Sequence, residues 1–127
     1  MATTKRALSI GGKALGPYSS AVAHSSMVFV SGQLPMDPST GDIAKVPLGE
    51  KCKLVLEAIK GLLALEGLGL EHVVKTTVFL TDLGDFAEMN QAYEGYFSAP
   101  YPARSTIQVA ALPKGSPIEI EAIAMRD

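Results

Sequence analysis

Two stretches near the C-terminus alternate with a period of two, as strands do when one face packs on a core. Across residues 101–113, Ser105, Ile107, Val109 and Ala111 fall on one face, and Arg104, Thr106, Gln108 and Ala110 on the other. Across residues 118–124, Ile118, Ile120, Ala122 and Ala124 oppose Glu119, Glu121, Ile123 and the following Met125. The pattern predicts one apolar sheet face and a second face carrying Arg104, Thr106, Gln108, Glu119 and Glu121. Earlier in the chain, residues 20–24 and 27–33 read as a hairpin across Ser25-Ser26. Met27-Val28-Phe29-Val30 is continuously apolar, which predicts a strand buried on both faces. Residues 73–80 are dense in β-branched side chains and read as a central strand. Residues 1–15, broken by Gly11-Gly12 and followed by Gly16-Pro17, read as an irregular arm or a short edge strand.

The period changes twice. Across residues 48–65, Cys52, Val55, Leu56, Ile59, Leu62 and Leu63 recur at three- and four-residue intervals, the stripe of an amphipathic helix. Gly67 and Gly69 are natural stops for it. Cys52 lies inside the stripe and reads as core, not as a nucleophile. Residues 83–97 predict a second helix with Phe86, Met89, Tyr93 and Phe97 along one stripe. Asp82 can cap it, and Asp85 sits near its positive end. Ala99-Pro100-Tyr101-Pro102 ends that helix and forces an extended approach to Arg104. The order strand, strand, helix, strand, helix, strand, strand predicts an α+β fold, with a single sheet and both helices on one face. The length predicts one domain over residues 1–127.

Composition narrows the function. The net charge of −2 argues against nucleic acid as a partner, because such binding rests on Lys and Arg neutralising phosphates. A single cysteine rules out an internal disulfide and suits a reducing, cytoplasmic compartment. The start, Met1-Ala2-Thr3-Thr4-Lys5-Arg6, is too short in apolar residues for a secretory signal and leaves a short mitochondrial presequence open. No apolar run is long enough to span a bilayer. His24 and His72 lack cysteine or carboxylate neighbours at metal-ligand spacing, so no metal site is expected. The charged sheet face has two readings. It can be a solvated surface, where charge pairs contribute little. It can also be a site for a small carboxylate, with Arg104 as a bidentate fork and a Glu that handles water or a proton.

Pro102-Ala103-Arg104-Ser105, Leu112-Pro113 and Ile118-Glu119-Ile120-Glu121 together resemble the C-terminal signature of the Rid, or YjgF, family of reactive-intermediate deaminases. Gly16-Pro17-Tyr18, Ser31-Gly32-Gln33 and residues 86–93 resemble further family segments, so the likeness runs from Gly16 to Met125. It implies the chorismate-mutase-like fold and a homotrimer with pockets between subunits. It implies hydrolysis of 2-iminoacids, formed from enamines such as 2-aminoacrylate, to 2-ketoacids and ammonia, with no cofactor. The imine carbon is already electrophilic, so neither a covalent nucleophile nor a metal is demanded. By the same resemblance Arg104 holds the substrate carboxylate and Glu119 steers water and protons. Tyr18, Ser31, Gly32, Asn90 and Thr106 line the pocket. Many deaminating members carry Cys where this chain has Thr106, which removes a thiol and bears on substrate preference.

Two other functions compete with this one. A non-enzymatic trimer that binds small carboxylates or a partner protein would keep Arg104 without needing Glu119. Ribonuclease or translation-inhibitor activity has been ascribed to family members, but the acidic balance and the lack of a His pair for acid–base cleavage count against it. Only the short 112–117 turn joins the last two strands, so they should run in opposite directions. Arg104 and Glu119 should then lie near opposite ends of the sheet, roughly 20 Å apart at about 3.3 Å per residue. This predicts a shared site, with Ser31, Gly32 and Glu119 from one subunit and Arg104 and Thr106 from its neighbour.

Overall fold

The computed structural model describes residues 4–11 and 16–127. The parts of the predicted arm and presequence-like start at residues 1–3 and 12–15 lie outside the described residues. The elements are β1 (Arg6–Leu8), β2 (Ala21–His24), β3 (Met27–Gln33), α1 (Leu48–Ala64), β4 (Val73–Leu80), α2 (Phe86–Glu94), β5 (Ala103–Gln108) and β6 (Ile118–Met125). They form an α+β domain with one six-stranded mixed sheet in the order β1-β2-β3-β6-β4-β5. Every neighbouring pair is antiparallel except β4 and β5, which run parallel.

The helical stripe of α1 is buried as its spacing predicts: Cys52, Val55, Leu56, Ile59, Leu62 and Leu63 all face the core. The helix ends in a left-handed Gly67, φ +71°, where the Leu68 N–H reaches back to the Leu63 carbonyl at 3.1 Å. That closure satisfies a carbonyl the helix would otherwise leave unpaired. On the sheet, Val28, Val30, Val78, Leu80, Ile118, Ile120, Ala122 and Ala124 meet both helices in one core cluster. Leu56→Ala at its centre should cost about 2–5 kcal/mol.

Three expectations change. Met27-Val28-Phe29-Val30 is not buried on both faces: Val28 and Val30 pack inward, while Phe29 is 43 % exposed on the face without helices. The second helix begins with a 3-10 turn at Leu83–Asp85, capped by the Asp82 carboxylate accepting from the Gly84 N–H, and only then becomes α-helical. Phe86 is left partly exposed as a result. Asp85 stands at the start of the α-helical part, as its spacing predicts, and burial, with the charges of Asp82 and Glu88, pushes its carboxyl pKa up. The last change concerns β5, whose two faces are reversed. Arg104, Thr106 and Gln108 turn toward the helices, and Ser105 and Ile107 turn to the bare face with Glu119 and Glu121. The cause is that β5 is a parallel edge strand, with Arg104 in register with the buried Thr76. The rings of α2 receive the guanidinium there. Alternation assigns residues to two faces without saying which face is covered.

Candidate active site

The site residues form two groups. The first lies where β3 meets β6. The register of that pair shifts between Val30 and Gln33, so Ser31 and Gly32 sit in an irregular step of the strand. Such steps re-aim side chains. The Ser31 hydroxyl donates to the Ser19 carbonyl at 2.7 Å, and its N–H donates to the Ser20 carbonyl at 2.9 Å. These bonds tie the 16–20 segment, and with it the exposed Tyr18, to the end of β3. Gly32 leaves room for the Glu119 side chain. A Cβ built there would lie 2.6 Å from the Glu119 carboxyl carbon and 2.9 Å from its Cγ, well inside contact distance. Glu119 is half-buried on the bare face. Its pKa is raised, first by burial and then by the charge of Glu121. A carboxyl held up in this way can take a proton and return it.

The second group lies on the helix side of β5. The Arg104 guanidinium carbon stands 4.7 Å from the Tyr93 ring centroid and 5.5 Å from that of Phe86. Among the described residues it has no carboxylate partner. It opens into a pocket of about 460 Å³ that Asn90, Tyr93, Glu94, Tyr101 and Pro102 also line. Thr106 follows on the same face, and its Oγ1 is enclosed without a hydrogen-bond partner among the described residues. The Val109 N–H donates to the Leu80 carbonyl at 2.8 Å. By the alternation of a parallel ladder, the N–H groups of Arg104 and Thr106 therefore point outward along the open edge of the sheet. Behind this group, burial pushes the Cys52 thiol up to about 12, against a smaller pull from the Arg104 charge. Cys52 is thus a core residue and a poor nucleophile.

Within one protomer the two groups stay apart. Arg104 lies opposite Thr76 and Glu119 opposite Phe79, both on β4. Three residues along β4 and two strand spacings across it put the two Cα atoms about 14 Å apart. That is closer than a simple hairpin predicts: the intervening β4 adds a strand spacing, but the register of β5 and β6 on it leaves the two residues only three positions apart along the strand. The side chains nonetheless project from opposite faces of the sheet. Two larger hollows, of about 670 and 510 Å³, lie along the helices and the 95–102 segment and are lined by neither Arg104 nor Glu119.

The helical spacing of Tyr93 predicts only a core role for it. The structure puts its ring beneath Arg104, a contact that the i, i+4 stripe hides because the same residue also packs inward. Gln108, whose Oε1 accepts from the Leu83 N–H at 2.8 Å, fastens β5 to the start of the second helical segment.

This arrangement has close relatives. Residues 8–126 match the family model described as Endoribonuclease L-PSP. The chain belongs to this family, the Rid or YjgF family. A human protein named 2-iminobutanoate/2-iminopropanoate deaminase is 46% identical over 113 residues, covering 89% of this chain and 82% of that protein. Protein DfrA of Myxococcus xanthus is 50% identical over 115 residues, covering 89% of this chain and 88% of its own length. A crystal structure of E. coli TdcF with bound serine superposes with a TM-score of 0.89 at 42% identity, covering 96% of this chain and 99% of that one. Rid relatives thus carry deaminase as well as endoribonuclease names, and they share this fold. No helix of the described residues is long and apolar enough to cross a membrane.

Proposed function

We propose that the protein hydrolyses 2-iminoacids, such as 2-iminobutanoate, 2-iminopropanoate and the imine tautomer of 2-aminoacrylate, to 2-ketoacids and ammonia. The sites lie between subunits of a homotrimer. The observation that carries this reading is the Arg104 guanidinium, which is held over two rings in an open pocket with no acidic partner among the described residues. A cation so placed keeps its fork of N–H donors for a planar carboxylate. The likeness to a human iminoacid deaminase and to a TdcF structure holding serine, itself a small carboxylate, supports the same choice.

In this mechanism Arg104 and the outward N–H of Thr106 hold the substrate carboxylate, and Asn90 borders it. The bare sheet face of the next subunit brings Glu119, with Ser31, Gly32 and Tyr18 around it. The Glu119 carboxylate takes a proton from water as the oxygen bonds to the iminium carbon. The C=N π electrons pass to nitrogen, giving a neutral carbinolamine. The Glu119 carboxyl then protonates that nitrogen. The hydroxyl loses its proton back to Glu119, C=O forms, and the C–N bond breaks to release ammonia. Holding both reactants supplies much of the acceleration, because the imine carbon needs no further activation.

The bare face suits subunit contact. Phe29, Ile107 and Met125 are partly exposed there among Lys75, Glu119 and Glu121. The exposed edge of β5 is a second unpaired surface. The test is a coupled assay in which a dehydratase generates 2-aminoacrylate and ketoacid formation is followed with and without the protein. Faster ketoacid release supports the reading. Ketoacid binding without acceleration would instead make the protein a carboxylate-binding module.

A further inference from the structure

Arg104 has an anchor that the proposed reaction does not by itself require. Tyr93 projects from α2, is almost wholly buried, and stacks on Phe97 with ring centroids 4.6 Å apart. Its hydroxyl lies 2.8 Å from the Oγ1 of Thr76, a buried side chain of β4. Thr76 is in turn the residue of β4 in register with Arg104 on β5. The three residues therefore close a loop. Strand register fixes the Arg104 backbone beside Thr76, a hydrogen bond fixes the Tyr93 ring to Thr76, and the ring face meets the guanidinium at 4.7 Å. We propose that the Thr76–Tyr93 pair is a positioning device that sets the height and tilt of the Arg104 guanidinium for carboxylate capture.

The choice of a ring over an acid is the physical point. A carboxylate beside Arg104 would steady the charge but occupy the fork, and a substrate would have to displace it. A ring face stabilises the cation through its quadrupole from one side only. The N–H donors lie in the guanidinium plane, so they stay free at its edge. Tyr serves better than Phe, because burial without the Thr76 bond would leave the ring free to slide and the Thr76 hydroxyl unpaired. Phe86, at 5.5 Å, borders the cation but has no tether of this kind.

The inference rests on Arg104 holding a carboxylate, and the experiment separates the two claims. Affinity for 2-oxobutanoate is measured by calorimetry, alongside KM and kcat on iminoacid generated in situ and the Tm. The variants are Arg104→Lys, Tyr93→Leu, Tyr93→Phe, Thr76→Val and the doubles Tyr93→Phe/Thr76→Val and Arg104→Lys/Tyr93→Phe. Tyr93→Leu should weaken 2-oxobutanoate binding about 5- to 30-fold, the span from an exposed to a desolvated cation–ring contact. The loss should appear in KM more than in kcat. Tyr93→Phe and Thr76→Val should each give a smaller loss, and the double variant no more than either alone, because both cut the same bond. Tyr93→Phe placed on Arg104→Lys should change binding little further. If the Phe and Val variants fold with near-native Tm and bind 2-oxobutanoate as the parent does while Arg104→Lys does not, the positioning role is wrong and the carboxylate site stands. If Arg104→Lys itself binds normally, the carboxylate reading falls and this inference falls with it. The Phe and Val changes keep the core filled, so the question is decided even if Tyr93→Leu fails to fold.

Discussion

At the scale of single residues, Arg104 and Glu119 are asked for different things. Arg104 must present a planar fork, so Arg104→Lys should lower kcat/KM about 10- to 100-fold, the worth of a charge-assisted bidentate contact, with an unchanged Tm. Near-normal turnover by that variant would remove it from the carboxylate. Glu119 must change its protonation, and burial with the Glu121 charge already favours its neutral form. Its folded pKa lies above its unfolded one, so its stabilising contribution is full at low pH and is lost as pH rises through the raised value. Glu119→Gln should therefore raise the Tm near neutral pH, and less so in acid, while turnover falls about 10²- to 10⁴-fold. As a general base Glu119 is active when ionised, so the acidic limb of the pH–rate profile should lie above the ordinary glutamate range. Glu121→Gln removes the second cause of the shift and should move that limb downward with little loss of maximal rate. An unmoved limb would dissociate it from Glu119. Thr106→Val tests the enclosed hydroxyl. With no partner among the described residues, its removal should leave stability equal or improved by about 1 kcal/mol. Lost ketoacid affinity in that variant would show that the hydroxyl finds its partner in the ligand, and unchanged affinity that the Thr106 backbone acts alone.

At the scale of elements, the long helix and most strands were legible because each shows one clear period. The six buried residues of α1 are those its stripe predicts, and Ile118, Ile120, Ala122 and Ala124 fill the inner face of β6. Ser31-Gly32 was legible only through the family likeness, and what lies against Gly32 is the Glu119 side chain. Gly32→Ala should push that carboxylate aside and lower turnover toward the Glu119→Gln level, and calorimetry should show ketoacid binding largely kept. Normal turnover would mean that the Glu119 position has slack. What the pattern could not say was which face of β5 is covered. A strand with Arg, Thr and Gln on one side and Ser and Ile on the other reads as polar-out, yet the aromatic surface of α2 accepts the guanidinium, and an edge strand leaves Ile107 44 % exposed. The helix start was blurred for a similar reason: Asp82 caps a 3-10 turn ahead of the α-helix.

At the scale of the whole molecule, the two halves of the proposed site lie on opposite faces of one sheet. The sequence placed them apart for a partly wrong reason. Local pattern predicts that β5 and β6 pair across a simple turn, whereas β4 lies between them in the sheet, a crossover that local patterns do not encode. The consequence is the same: a small iminoacid cannot reach both residues in one chain. The most direct test mixes Arg104→Ala and Glu119→Ala proteins in equal amounts, unfolds them and refolds them together. In a cyclic trimer every mixed ring contains one boundary with both residues intact, so random mixing should restore about a quarter of the parental activity. If sizing and mass measurement show mixed rings and activity stays at the level of the separate variants, the shared site is contradicted.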